Sequence, residues 1–186
     1  MLTETEGQTL CSFARAVIAE KLGGPAATSP TAEAFLQPGA CFVTLFRGGG
    51  LHGCIGSLEA FRPLWLDVSD NACSAAFRDP RATALALGDE QQLAVEVSVL
   101  SPLQRLTVTN RAEALAAITP HKDGVLLRYL GQRGTFLPQV WDDLPEPTDF
   151  WRHLLHKAGL PADFDHPGLQ VYRYTVAKWR QGPRVP

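Results

Sequence analysis

Two apolar runs separated by three consecutive glycines do most to limit what this chain can become. Cys41-Phe42-Val43-Thr44-Leu45-Phe46 has the length and the aromatic and β-branched content of a buried strand. Gly48-Gly49-Gly50 turns the chain, and residues 51–58 return as the second arm of a hairpin. The same pattern recurs downstream, where residues 125–129 and 135–140 flank Gly131 and Gly134. Hairpins are antiparallel units, so a chain built on them is steered away from the parallel β-α-β plan.

Helical faces lie between these runs. Leu10, Phe13, Ala14, Val17 and Ile18 recur at helical spacing and stop at Gly23-Gly24-Pro25. Pro63 opens a second helix with the stripe Leu64, Val68, Ala72, Ala75 and Ala76, and Asp79-Pro80 ends it. Asn110 and Glu113 have capping-box spacing for a short helix through Ile118. Phe150, Trp151, Leu154, Leu155 and Ala158 form a further face, closed by Gly159 and Pro161. Residues 93–100 read as a strand with Val95, Val97 and Val99 on one face and Glu96 and Ser98 on the other. Residues 169–176 read as the last strand. The expected fold is α+β: a largely antiparallel, curved sheet carrying helices, in a single domain over residues 1–186.

Composition narrows the function classes. A formal charge of −2 with scattered basic residues argues against nucleic-acid binding, which needs clustered Lys and Arg. The densest basic group, Lys178-Trp179-Arg180 with Arg184, reads as a solvated tail. Met1-Leu2-Thr3-Glu4-Thr5-Glu6 lacks the basic start and apolar core of a signal peptide, and no apolar run reaches the ~18–20 residues of a membrane span. The four cysteines, at 11, 41, 54 and 73, form no Cys-x-x-Cys pair and are expected as reduced thiols in a cytoplasmic protein. No phosphate loop, dinucleotide fingerprint or nucleophile elbow occurs, and no cofactor is expected.

The chemistry concentrates at Leu51-His52-Gly53-Cys54-Ile55-Gly56. On a regular strand His52 and Cys54 share a face, ~7 Å apart at Cα, and a protonated imidazole there would favour the thiolate. Gly53 and Gly56 leave room for a ligand or for another backbone segment. Against this stands the plain reading of a buried cysteine in a tightly packed strand. Glu96 interrupts an apolar strand and is a candidate acid–base or binding residue, or else a solvent-face carboxylate. Arg78, Asp79 and Arg81 surround Pro80 and could hold an anion, although local charge pairing explains them as well. His153 and His156 are three apart on one helix with no further ligand in reach, so no metal site is expected.

Residues 51–56 resemble the Leu-Arg-Gly-Cys-Ile-Gly signature of the AMMECR-like family. Ala75-Ala76-Phe77-Arg78-Asp79-Pro80-Arg81, Glu96-Val97-Ser98-Val99-Leu100, Phe136-Leu137-Pro138-Gln139-Val140 and Lys157-Ala158-Gly159-Leu160 agree with it in the same order. The resemblance implies a strongly curved sheet in a larger and a smaller lobe, with family-typical residues near the groove between them. It implies no settled reaction. Some prokaryotic members look like one component of a system, of the AmmeMemoRadiSam type, that includes a Memo-like protein and a radical-SAM protein. Those are the expected protein partners. His52 stands where the family usually has arginine, so a charge-dependent role there would follow pH.

Three functional readings follow. In the first, a recognition domain binds a protein partner or small ligand near residues 51–56, with Gly53, Gly56, Arg81 and Gln139 as binding residues. In the second, a cysteine enzyme uses Cys54 as nucleophile or covalent carrier, His52 to tune it, and Glu96 to orient substrate or shuttle a proton. In the third, the cysteine segment is purely structural.

Overall fold

Both hairpins form in the computed structural model, which describes residues 2–183. The elements in chain order are α1 (Glu4–Lys21), α2 (Glu33–Leu36), β1 (Pro38–Gly39), β2 (Cys41–Arg47), β3 (Gly50–Gly56), β4 (Arg62–Pro63), α3 (Leu64–Phe77) and β5 (Leu93–Leu100). Then come β6 (Gln104–Leu106), α4 (Arg111–Ala117), β7 (Gly124–Tyr129), β8 (Gln132–Phe136), α5 (Pro147–Lys157), β9 (Gln170–Tyr174) and β10 (Val176–Gln181). Asp89–Gln92 and Pro138–Asp142 form 3₁₀ turns. The architecture is α+β with antiparallel sheets, and the strands among the described residues divide into two four-stranded sheets and a two-stranded ribbon. The chain separates into two compact units, Met1–Leu100 with Ala177–Pro186, and Ser101–Val176.

The first unit holds the sheet β10-β5-β2-β3 and the ribbon β1-β4. Thr3 and Glu6 form a capping box that starts α1, a device that contributes on the order of 1 kcal/mol. The predicted face of α1, Leu10, Phe13, Ala14, Val17 and Ile18, is buried together with Val68, Ala72, Ala75 and Ala76 of α3. Both helices cover the sheet face made by Val43 and Leu45 of β2 and Val95 and Val97 of β5. Inside this unit Asp67, fully buried, accepts hydrogen bonds from the Cys41 amide, Ser57 Oγ, Arg62 Nε and Asn71 Nδ2.

The C-terminal basic group is not a solvated tail. Lys178, Trp179 and Arg180 belong to β10, whose alternation sends Trp179 into the core and Arg180 to the other face. The indole lies against Gly7 of α1, where a Cβ would come within 2.0 Å of the ring. Arg184 lies outside the described residues.

The second unit holds the sheet β6-β9-β7-β8, covered by Phe150, Trp151, Leu154 and Leu155 of α5. Leu130 (φ 44°) and Gly131 (φ 88°) make the β7–β8 turn, both with the positive φ that a two-residue type I′ hairpin requires. Gly134 is a strand residue rather than a turn residue: a Cβ there would lie 2.7 Å from the Ala158 amide nitrogen, so the glycine lets α5 approach β8. The second arm stops at Phe136, because Pro138 offers no ladder amide and the chain winds into a 3₁₀ turn. That turn delivers Trp141, which stacks on Phe150 at 3.6 Å and donates its indole N–H to Asp123 O at 2.8 Å. At α4, Asn110 accepts the Glu113 amide, but the Glu113 carboxylate reaches back to Thr109 rather than to Asn110. Residues 169–176 do not form one strand. The run breaks at Thr175, with β9 in the second sheet and β10 in the first. Among the described residues no helix is long and apolar enough to cross a membrane.

Candidate functional site

The signature segment occupies β3, the edge strand beside β2. Its register contains an irregularity that decides where each side chain goes. Thr44 faces Cys54 and Leu45 faces Gly53, yet Phe46 faces Leu51. His52 is therefore an extra residue, a β-bulge, and the alternation of faces is lost there. His52 turns toward α3, is almost fully buried, and places Nε2 3.2 Å from Ala76 O. Gly53 turns the same way, since a Cβ on it would meet Ala75 O at 2.1 Å. The last carbonyls of a helix lack partners within the helix, and a ring N–H from His52 satisfies one of them. The expectation that His52 and Cys54 share a face is corrected by this bulge.

Cys54 projects from the opposite side of the sheet. Thr44 sits between it and Glu96, each pair directly opposite across neighbouring strands. Thr44 Oγ1 donates to Cys54 Sγ at 3.1 Å, the thiol's one hydrogen bond among the described residues. Glu96, two strands from Cys54 and so ~10 Å away, accepts Arg180 Nε and Nη2 at 3.1 and 2.7 Å. Arg180 also stacks over Phe46, 4.4 Å from the ring centroid. Of the three residues proposed as catalytic, Cys54 and Glu96 come to one face without touching, and His52 goes to the other.

Cys11, Cys41 and Cys73 pack into the apolar core of the first unit. Burial pushes Cys11 up to about 11, Cys41 well above the ordinary thiol value, and Cys73 upward as well. Cys54 is half-buried.

The backbone of Cys54 is held by Asp79, just beyond the end of α3. Asp79 Oδ2 accepts the Cys54 amide at 2.8 Å, using the donor that an edge strand leaves unpaired. The same carboxylate receives Arg81 Nε at 2.9 Å, Arg81 Nη2 at 2.7 Å and the Arg81 amide at 2.9 Å. The Arg81 guanidinium, followed by the Cys54 and Arg81 amides, holds the Asp79 carboxyl well below the usual carboxylate range. Arg81 remains half exposed. Arg81 thus pairs with Asp79 inside the turn, and Asp79 is the residue that ties this turn to the cysteine strand.

The space beside the two glycines is filled by the protein. Gly53 abuts α3, and a Cβ on Gly56 would lie 2.3 Å from the Phe42 ring and 2.7 Å from Cys41 O. Gln139 lies exposed in the second unit, in the turn Pro138–Asp142. His153 Nδ1 stands 2.8 Å from Asp149 O in its own helix, and among the described residues no three His, Cys, Asp or Glu side chains are grouped to hold a metal ion. Thr44 and Asp79 were the partners hardest to see beforehand. Thr44 could be found only from the β2–β3 register, and Asp79 only from the docking of α3 on β3.

Fold and motif together define a member of a family rather than an isolated chain. The AMMECR1 family model matches residues 11–179, and the chain belongs to that family. Protein MJ0810 of Methanocaldococcus jannaschii is 36% identical over 185 residues, covering 95% of this chain and 90% of the relative. A protein of Thermotoga maritima is 31% identical over 150 residues, covering 80% of this chain and 81% of the relative. The crystal structure of the uncharacterized protein PH0010 from Pyrococcus horikoshii superposes with a TM-score of 0.79 at 28% identity, covering 98% of this chain and 96% of that one.

Proposed function

We propose that this AMMECR1-family chain is a recognition domain that binds a protein partner or small ligand through the face of β3 bearing Cys54. The observation supporting this reading is the bulge at His52. It leaves the Thr44 hydroxyl as the thiol's hydrogen-bond partner, and the neighbouring Arg81 guanidinium is engaged by Asp79, whereas a cysteine nucleophile needs a base or cation within hydrogen-bond reach. The Cys54 backbone, by contrast, is fixed by the β2 register and by Asp79, which is the preorganisation a binding strand uses. Gly53 and Gly56 then serve to seat the strand, and the half-exposed Arg81 guanidinium beside it supplies the charged recognition group, with Cys54 contributing surface shape rather than reactivity. The resemblance to components of Memo-like and radical-SAM systems names the partners to try first.

The test is calorimetric titration of the purified chain with the Memo-like and radical-SAM proteins of its own genome. Cys54→Ser is expected to bind within about twofold of the wild type, a difference under ~0.5 kcal/mol. Arg81→Ala should weaken binding. A Cys54→Ser variant that folds normally and loses binding would defeat the reading. So would an alkylation rate for Cys54 that titrates far below the free-thiol value of ~8.5, which is the mark of an activated nucleophile.

A further inference from the structure

Charge is segregated in the second unit. Ser101–Val176 contains eight Asp and Glu residues, and all of them lie in helices, turns and loops rather than in the strands of the sheet. Each of the four strands carries one arginine instead: Arg105 on β6, Arg128 on β7, Arg133 on β8 and Arg173 on β9.

The strand register decides which of these arginines share a surface. Val125, Leu127 and Val171 belong to the face packed into the core, and Arg173, directly opposite Val125, goes with that face. The other face carries Arg128, which stands directly opposite Arg133 on β8 and Gln170 on β9, and Arg105, directly opposite Tyr172. Arg128 holds its guanidinium 5.1 Å from the centroid of the Tyr172 ring, so its charge lies between the other two. Arg105 and Arg133 are exposed, and Arg128, Gln170 and Tyr172 are half-buried. Residues at 105, 128 and 133 look scattered along the chain, and pairing gathers them. Like charges directly opposite one another destabilise a sheet, so the Arg128–Arg133 pair carries a cost that an anion lying across it relieves. A guanidinium has five N–H donors, and a contact made within the chain leaves others for an incoming carboxylate.

From this row of three guanidiniums on one sheet face, we infer a docking surface for an acidic, extended segment of a protein partner. From β8 to β6 is three strand spacings, ~14 Å. A small anion reaches one or two of the three charges. Carboxylates on alternate residues of an extended peptide repeat every ~6.7 Å, so three of them span the row. The planar forks of arginine match carboxylates in pairs of parallel hydrogen bonds. A nucleic acid is the poorer match, because its hold grows with the number of phosphates neutralised and a chain of formal charge −2 opposes a polyanion. The surface lies in the second unit, and the cysteine strand lies in the first.

The experiment is an amide-resolved NMR titration of the full chain with an acetylated, amidated peptide of four Glu-Ser repeats. The same peptide with Gln in place of Glu is the neutral control, and an oligothymidylate with the same number of charges is the competing polyanion. Saturable shifts are expected at the amides of Arg105, Arg128, Arg133 and Tyr172 with the Glu peptide below about 10 mM, weakening as salt is added. Arg105→Gln and Arg133→Gln, both at exposed positions, should each weaken binding about two- to fivefold. Arg152→Gln removes an equal charge from α5, on the side that covers the core face, and should leave binding unchanged. Absence of saturable shifts, equal shifts with the Gln peptide, or an Arg152→Gln loss as large as those of Arg105→Gln and Arg133→Gln would each overturn the assignment. Tighter binding of the oligothymidylate than of the Glu peptide would overturn the choice of an acidic peptide as the partner.

Discussion

Gly53→Ala measures how tightly β3 is locked onto α3. The added methyl would start 2.1 Å from Ala75 O and 3.1 Å from Asp79 Cβ. Reaching even 3.0 Å from the carbonyl oxygen requires a displacement of about 0.9 Å, and the obstacle is helix backbone rather than a side chain that can swing aside. That backbone is also held by His52 on Ala76 O and, one turn on, by the Asp79 contact to Cys54. Overpacking typically costs ~1–3 kcal/mol, and a site with this little freedom belongs at ~3 kcal/mol. At ~2–4 °C per kcal/mol for a chain of this length, Tm should fall by ~6–12 °C. Thermal melts followed by circular dichroism, with urea midpoints alongside, give the measurement. Gly48→Ala is the control: φ is +57° there with nothing within 4 Å, so the cost is left-handed backbone alone, about 1 kcal/mol. A Gly53→Ala protein that melts no lower than Gly48→Ala would refute the close approach of β3 and α3.

Two pH-dependent predictions accompany this one. The Asp79 carboxyl is held below the usual range when folded, so its contribution is present above the unfolded value of ~3.9 and is lost as pH falls through the folded one. The gap in urea midpoint between wild type and Asp79→Asn should be constant above about pH 5 and shrink below about pH 4. Tyr174 is pushed up to about 12 by burial, its hydroxyl shared with Thr135 Oγ1 and Phe136 O. A raised folded value favours the folded state below the unfolded ~10 and loses that contribution as pH rises toward 12. Tyr174→Phe should therefore cost ~1–2 kcal/mol near neutrality and show a flatter loss of stability than wild type between pH 10 and 12 in urea titrations.

How much of this could be read in advance depended on whether the signal was local. The strand Leu93–Leu100 follows from alternation, and α1, α3 and α5 follow from apolar spacing and their stop residues. Lys178-Trp179-Arg180 was misleading because two of its three residues are charged, and a strand with one buried tryptophan has little composition to announce it. The break at Thr175 was hidden for a related reason: both flanking segments have strand propensity, and only tertiary pairing assigns them to different sheets. The candidate site shows the same division. Residues 51–56 were recognisable as a special segment, but a single extra residue in the pairing reverses which side chain stands beside the thiol.

The discontinuity of the first unit also governs the order in which this protein can be made. Its sheet is closed on one side by β10, and Trp179 fills a place in the core beside Gly7, near the opposite end of the chain. During synthesis the segment Ser101–Val176 emerges with all of its own strands and α5, so it can reach its final form on the ribosome. The N-terminal hundred residues, though older, must wait with β5 as an unprotected edge until the last strand is released. The part of the molecule that carries the signature cysteine is therefore translated ahead of the second unit and finished after it.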